Sequence, residues 1–197
     1  MLLIARRSVR RLLCVADRLA MAAELERKPL ALQLAPVALR ALVVRMGDEA
    51  SEVFGRKGVV FELAPNGSGE ASVCIEADER WLGAAILELI GNALRHARTR
   101  VRARLTVSES HATILIEDDG RGFPEGFEVE GRERFTPAGV VGGMGFSLCM
   151  ASDVATAHGG RILSGTSMLP PQKVGVFGAA VSVEIPVRGP KETPALH

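Results

Sequence analysis

The chain has 197 residues, 47% of them hydrophobic and 24% charged, with a formal net charge of +1. That length suits one sizeable core with an appended element, and so small a net charge excludes a bulk electrostatic attraction to nucleic acid or to an acidic partner, so recognition has to be local. Three distant cysteines, Cys14, Cys74 and Cys149, fit a reducing compartment rather than a disulfide framework or zinc site, and the longest apolar run, broken by Gln33, Pro36 and Arg40, is too short for a membrane span.

In chain order, Arg6, Arg7, Arg10 and Arg11 stand near the start without the apolar stretch of a signal peptide. Leu2, Ala5, Val9, Leu12, Ala16, Leu19 and Ala23 recur at spacings of three and four, which predicts a helix over residues 2–26. Its seam can face a second copy of itself or lie on its own domain. Lys28-Pro29 ends that helix, Pro36 marks a second start, and a helix is expected over residues 37–56, closed by Gly58. Residues 59–63 and 71–76 read as short strands joined by the turn-rich Pro65-Asn66-Gly67-Ser68-Gly69, hence a hairpin. Asp78 can cap the next helix, whose buried stripe is Trp81, Leu82, Ala85, Ile86, Leu89, Ile90 and Ala93. Val101, Ala103, Leu105 and Val107 alternate with polar residues and, with the strand at 112–116, predict an antiparallel pair. Residues 123–141 are rich in charge, glycine and proline without a sustained period, as in a lid loop. Gly142-Gly143-Met144-Gly145 then opens a helix to about His158, Gly159-Gly160 stops it, and strands near 161–163 and 174–187 follow. Residues 188–197 read as a frayed tail.

Three stretches carry chemistry. The apolar strand ending in Ile116-Glu117-Asp118-Asp119-Gly120-Arg121-Gly122 puts a carboxylate, Asp118, where it can accept a hydrogen bond from an amino group such as that of adenine. Gly120 and Gly122 let the backbone turn and approach a ligand without a Cβ in the way. On the helix capped by Asp78, Glu88, Asn92 and Arg95 or His96 share one polar face. An Asn beside a Glu suits Mg²⁺, which keeps most of its waters and takes few protein ligands, and a carboxylate one turn earlier can orient or deprotonate an attacking group. The glycines before the helix near 146 offer free backbone N–H groups and the positive end of a helix dipole to phosphate oxygens.

The order Glu88-Leu89-Ile90-Gly91-Asn92-Ala93-Leu94-Arg95-His96-Ala97, then Asp118-Asp119-Gly120-Arg121-Gly122, then Gly143-Met144-Gly145-Phe146-Ser147-Leu148 resembles the N, G1 and G2 boxes of one ATPase superfamily. Its members are DNA gyrase, the heat-shock chaperone ATPases, the MutL mismatch-repair proteins and the sensor histidine kinases. The histidine kinases fit best, because residues 36–43, 57–63 and 158–162 resemble their linker, first strand and post-helix turn. The resemblance implies an α/β fold, an α+β two-layer sandwich with a mixed β-sheet covered on one face by helices. Its expected parts are a partial dimerisation helix at 1–28, a linker and helix at 29–58, an ATP-binding catalytic domain at 59–187 and a flexible tail at 188–197.

Carried over residue by residue, the resemblance implies that Asn92 binds Mg²⁺ and that Glu88 is the polarising carboxylate, reaching the metal through water. Arg95 would face the phosphates and His96 would lie against the nucleotide. Asp118 would accept the adenine amino group beside Gly120 and Gly122, while Gly143, Gly145 and Phe146 would close over the phosphates. The expected cofactors are ATP and Mg²⁺. The expected partners are a response regulator and a histidine-bearing dimerisation helix, in a homodimer of the full-length protein, with no nucleic acid and no membrane contact by this chain. The expected setting is the bacterial cytoplasm, including the cytoplasmic part of a membrane-bound sensor.

The departures carry expectations of their own. Val141 stands where the G2 box usually begins with glycine, Phe146 replaces its second leucine, and the aromatic motif of the lid shrinks to Arg134-Phe135-Thr136, which predicts weaker or differently regulated lid closure. No histidine precedes His96, so the phosphoacceptor is expected outside this chain. Two rival readings share the same boxes: an anti-sigma-factor type serine kinase, which resembles a more minimal domain, and a non-catalytic partner-binding module of the same fold.

Overall fold

The structure is a computed structural model that describes residues 9, 16, 17, 20, 21, 23–25, 30–65, 74–127, 146–171 and 175–190. Strand β1 (Ala35–Ala38) leads into α1 (Leu39–Phe54), followed by β2 (Val60–Leu63), β3 (Cys74–Ala77), α2 (Glu79–His96), β4 (Arg100–Val107) and β5 (His111–Asp118). Helix α3 (Phe146–Ala157), β6 (Arg161–Thr166) and β7 (Ala179–Pro186) complete the order. Five strands form one sheet in the order β2-β4-β5-β7-β6, with β2 parallel to β4 and the remaining neighbours antiparallel. The sheet is therefore mixed, and the three helices pack on it as a second layer.

Alternation along the strands decides which face meets the helices. Val101, Ala103 and Leu105 of β4, Ala112, Ile114 and Ile116 of β5, and Val181, Val183 and Ile185 of β7 are buried in one core with Ile86, Ile90 and Leu94 of α2 and Met150 and Val154 of α3. The register places Ile116 opposite both Ala103 and Val181, so each central row of the inner face is apolar from strand to strand. Met21 and Leu25, from the helical residues before position 30, belong to the same core.

Two expectations change. The strands at 60–63 and 74–77 do not make a hairpin: β2 lies parallel beside β4, and β3 pairs antiparallel with β1 in a separate two-stranded sheet, Val37 opposite Ile75. The turn-rich residues between them look like a hairpin connection because local turn chemistry cannot report which strand a segment will meet. Pro36 does not start a helix but occupies β1, where a two-stranded sheet leaves each strand an open edge that tolerates a missing N–H. Helix α1 accordingly begins at Leu39, and it ends before Gly55 rather than Gly58, the Gly55 N–H donating to Ser51 O.

The remaining elements follow the periodicity. The Asp78 carboxylate accepts from the Trp81 amide at 3.1 Å and so caps α2, and every residue of the predicted stripe from Trp81 to Ala93 is buried. The antiparallel pair is β4 and β5, and Gly159, with φ of +76°, turns the chain out of α3. Of the expected tail, Gly189 is buried and Pro190 lies against Gly159, while 191–197 fall outside the described residues. Among the described residues no helix is long and apolar enough to cross a membrane.

Candidate functional site

The end of β5 and the end of α2 are sewn together by one side chain. Asp119, the second of the paired carboxylates, accepts from the backbone amides of Arg98, Thr99 and Arg100 at 2.8 to 3.1 Å and from the Thr99 hydroxyl at 2.5 Å. Burial alone would push its carboxyl up, but those donors, led by Thr99, hold it below the ordinary aspartate range. A carboxylate with this many donors is a structural clasp. It brings the α2–β4 turn against the Gly-rich turn that follows β5, and nothing in the local pattern distinguishes it from its neighbour Asp118.

Asp118 is placed differently. Only its Oδ1 is engaged among the described residues, accepting from the Gly120 amide at 2.7 Å and the Ala179 amide at 3.4 Å. Burial pushes its carboxyl up to about 6; the Gly120 and Ala179 amides oppose the shift and the nearby Asp119 charge adds to it. Such a carboxylate has a second oxygen to offer a ligand and loses it as an acceptor when protonated.

The glycines beside it answer to the protein's own backbone. A Cβ on Gly120 would stand 2.5 Å from His96 O and 2.6 Å from Asp118 Oδ1. Gly122 has a φ of +76°, and a Cβ there would approach Phe177 O to 2.6 Å. The sequence reading missed Gly178, where a Cβ would come within 1.8 Å of Asp118 O. Close approach is thus required at all three positions, and the chain segments that approach are the α2 terminus and the stretch leading into β7.

Along α2 the polar face is more enclosed than a solvated row. Glu88 is buried at 2% exposure, Asn92 and Arg95 are half-buried, and His96 is exposed. Ser147, in the first turn of α3, donates its hydroxyl to Glu88 Oε2 at 2.5 Å, and Arg95 reaches the same hydroxyl at 3.4 Å. The Arg95 guanidinium also lies 5.0 Å over the Phe54 ring, which in turn packs where a Cβ on Gly91 would be, at 2.6 Å. Phe54 and Ser147 therefore hold the row from both sides. At the helix end, Arg56 donates to Ala97 O, and burial followed by the charges of Arg95, Arg56 and Arg121 lowers the His96 imidazole below its ordinary value. A neutral imidazole amid arginines makes a cationic lip suited to phosphate oxygens.

Another device missed in the sequence ties α2 to α3 at their other ends. The Asp78 amide donates to His158 Nε2 at 3.0 Å, so the imidazole is neutral there and its Nδ1 donates to Val154 O at 2.8 Å. Asp78 Oδ2 accepts from the Gln33 amide at 2.8 Å. The helix carrying Glu88 and Asn92 is thereby fixed at its start to the segment before β1 and to the end of α3.

Of the predicted site residues, Glu88, Asn92, Arg95 and His96 lie in order along α2, while Asp118, Gly120 and Gly122 lie at the end of β5, where Gly120 adjoins His96 O. Gly143 and Gly145 fall outside the described residues, as do 128–141 of the expected lid; Phe146 opens α3 but its side chain is likewise outside them. Phe123 and Phe127, at the start of that loop, stack with centroids 4.2 Å apart. Among the described residues there is no group of three His, Cys, Asp or Glu side chains able to hold a metal. That donor set fits a cation held by one amide oxygen, waters and ligand phosphates, and no all-protein cage.

Comparison with known proteins matches the part of the chain that carries these residues. The family described as histidine kinase-, DNA gyrase B-, and HSP90-like ATPase matches residues 77–189. Sensor protein RstB of Escherichia coli is 35% identical over 97 residues, 47% of this chain and 22% of that protein. The signal transduction histidine-protein kinase AfsQ2 of Streptomyces coelicolor is 33% identical over 97 residues, again 47% of this chain and 18% of that protein. The chain thus spans about a fifth of the length of these curated relatives. Among solved structures, the mycobacterial sensor histidine kinase MprB superposes with a TM-score of 0.65 at 25% identity, over 80% of this chain and 99% of that one. Full-length ShkA in complex with AMPPNP superposes with a TM-score of 0.72 at 23% identity, over 93% of this chain and 37% of that one. The mixed five-stranded sheet with α1, α2 and α3 packed on it is the fold shared with the mycobacterial sensor histidine kinase MprB, and this chain belongs to the family of histidine kinase-, DNA gyrase B- and HSP90-like ATPases.

Proposed function

We propose that the chain binds Mg·ATP and transfers the γ-phosphoryl group to a histidine outside it, from which a response regulator takes the phosphate. The observation that carries this reading is Asp118: a buried carboxylate with Oδ1 held by two backbone amides, facing the end of the helix that bears Glu88, Asn92 and Arg95. Phosphoryl transfer asks of a protein chiefly that it position the γ-phosphate and neutralise its charge. Here Asp118 would receive the adenine amino group, Arg95 and the lip around His96 would face the phosphates, and Glu88 would orient and accept the proton of the attacking imidazole. Asn92 would hold Mg²⁺ through its amide oxygen, with Glu88 reaching it through water; when bound, the metal neutralises charge on the phosphates. The partial dimerisation helix would be the stretch that contributes Met21 and Leu25 to the core, and the histidine-bearing helix would pair with it in a homodimer. A cytoplasmic setting follows from an ATP-dependent transfer of this kind.

Calorimetric titration of the chain with a non-hydrolysable ATP analogue, with and without Mg²⁺, tests the reading. Micromolar to sub-millimolar binding that strengthens with Mg²⁺ is expected. Absence of heat at millimolar nucleotide would leave the fold but sink the function, and favour a non-catalytic partner-binding module.

A further inference from the structure

We propose that Ser147 is a positioning residue for the reaction: it aims the Glu88 carboxylate and couples it to Arg95. The inference rests on Glu88 acting as the polarising carboxylate.

Ser147 is 7% exposed, in the first turn of α3, and it crosses the α2–α3 interface to donate to Glu88 Oε2 at 2.5 Å. A hydroxyl has one proton to give, and the short contact commits it to the carboxylate. The lone pairs that remain face Arg95, whose guanidinium stands 3.4 Å away and has only protons to offer. The three groups therefore form a directed chain, with guanidinium N–H pointing to hydroxyl oxygen and hydroxyl proton pointing to carboxylate. Reversing any link would set donor against donor or acceptor against acceptor.

The arrangement does more than join two helices. Carboxylate rotation about its terminal bond is soft, and at 2% exposure Glu88 has little bulk water to orient it. The Ser147 hydroxyl selects one orientation. It comes from the helix that directly follows the glycine-rich stretch 142–145, so the aim of Glu88 depends on where the first turn of α3 sits. Arg95, on α2 two turns beyond Glu88, is held by the same hydroxyl and by the Phe54 ring. The proton acceptor and the phosphate-facing cation thus share one hydroxyl.

The test follows phosphoryl transfer from Mg·ATP, read as ADP formed, by the chain mixed with a histidine-bearing dimerisation helix supplied in trans, with nucleotide affinity measured separately by titration with the non-hydrolysable analogue. Ser147→Ala should lower kcat by about 10- to 100-fold, the scale of a misplaced reacting group, while affinity stays within about twofold. Ser147→Thr, which keeps the hydroxyl, should recover most of the loss. In a Glu88→Gln background Ser147→Ala should cost nothing further, because a residue that acts through Glu88 has no effect once Glu88 is gone. An unchanged kcat, a parallel loss of kcat and affinity, or effects that add to those of Glu88→Gln would each overturn the proposal. Failure of the unsubstituted chain to bind nucleotide, or to phosphorylate the added histidine, would overturn the proposed function itself, and Glu88→Gln with full activity would remove Glu88 from its role. Both outcomes are distinct from a failure at Ser147. Melting curves of the variants separate loss of aim from loss of fold, and the Thr variant keeps the proposal open to refutation if the Ala variant unfolds.

Discussion

Asp118 and Asp119 are adjacent carboxylates that the fold drives in opposite directions, and the difference is a matter of donors. Asp119 has four groups donating to it and is held in its charged form; Asp118 has two amides on one oxygen and is pushed by burial up to about 6. A carboxyl with a folded value above its unfolded one binds more protons in the folded chain. Its contribution to stability is therefore complete below the ordinary aspartate value and is lost as pH rises through about 6. Asp118→Asn should stabilise the chain near neutral pH by roughly 3 kcal/mol at most, taking about 1.4 kcal/mol per pH unit, with the gain vanishing below about pH 4, as chemical denaturation across that range would show. Nucleotide binding should respond the other way. Because Oδ1 is occupied by the Gly120 and Ala179 amides, the substituted side chain would turn its amide nitrogen toward the adenine amino group, donor against donor. Affinity in the unsubstituted chain should fall as pH drops through about 6, and in Asp118→Asn it should be weaker by about tenfold or more and independent of pH over that range. Equal affinity in the two proteins would remove Asp118 from the site.

Helix α2 meets its neighbours through residues chosen for size as much as for polarity. Gly91 precedes Asn92 because the Phe54 ring at the end of α1 occupies the space a Cβ would take, and the same ring carries the Arg95 guanidinium. Alanine in place of glycine within a helix ordinarily gains about 1 kcal/mol, whereas forcing extra volume into a packed contact costs about 1–3 kcal/mol. Gly91→Ala should therefore destabilise the chain and weaken nucleotide binding several-fold by displacing Phe54 from beneath Arg95. In a Phe54→Ala background the same substitution should become stabilising by about 1 kcal/mol. Equilibrium unfolding of the four proteins of that cycle checks the sign, and a Gly91→Ala cost that persists without the ring would show that the glycine serves some other need. At the start of the helix, His158 and Gln33 converge on Asp78, so the residue that caps α2 is also the residue that joins it to α3 and to the segment before β1.

On the scale of the molecule, the helical residues before position 30 are part of the same core as the sheet. Leu25 is 2% exposed within that core, and Glu24 forms a two-point ion pair with Arg80 at 2.8 Å, beside the stacking of Arg80 on Trp81. These contacts differ in what they contribute. The ion pair is more than two-fifths exposed on both sides and is screened by solvent, so Arg80→Ala should cost less than about 1 kcal/mol. Leu25→Ala leaves a cavity and should cost about 2–5 kcal/mol. Thermal unfolding of the two variants decides between them, and a Leu25→Ala protein as stable as the parent would mean that this stretch does not dock in solution.

Much of this was legible in the sequence, and the limit lies where non-local pairing begins. The 3.6-residue stripe of α2, the alternation along β4 and β5 and the Asp78 cap depend only on which side of an element is buried, so residues close in the chain disclose them. The order of the Glu88-Asn92-Arg95 row and the Asp118-Gly120-Gly122 turn likewise carried the family resemblance. What only the tertiary structure decided is which segments meet. Parallel pairing of β2 with β4 and the β1–β3 sheet join strands that are distant in sequence, so the turn between 63 and 74 suggested a hairpin that does not form. The burial of Glu88 under Ser147, the opposite fates of Asp118 and Asp119, and the need for Gly120, Gly122 and Gly178 all arise from a second chain segment coming within a few ångströms. A local pattern records that a residue faces inward, but the partner that awaits it is set by the packing of the whole chain.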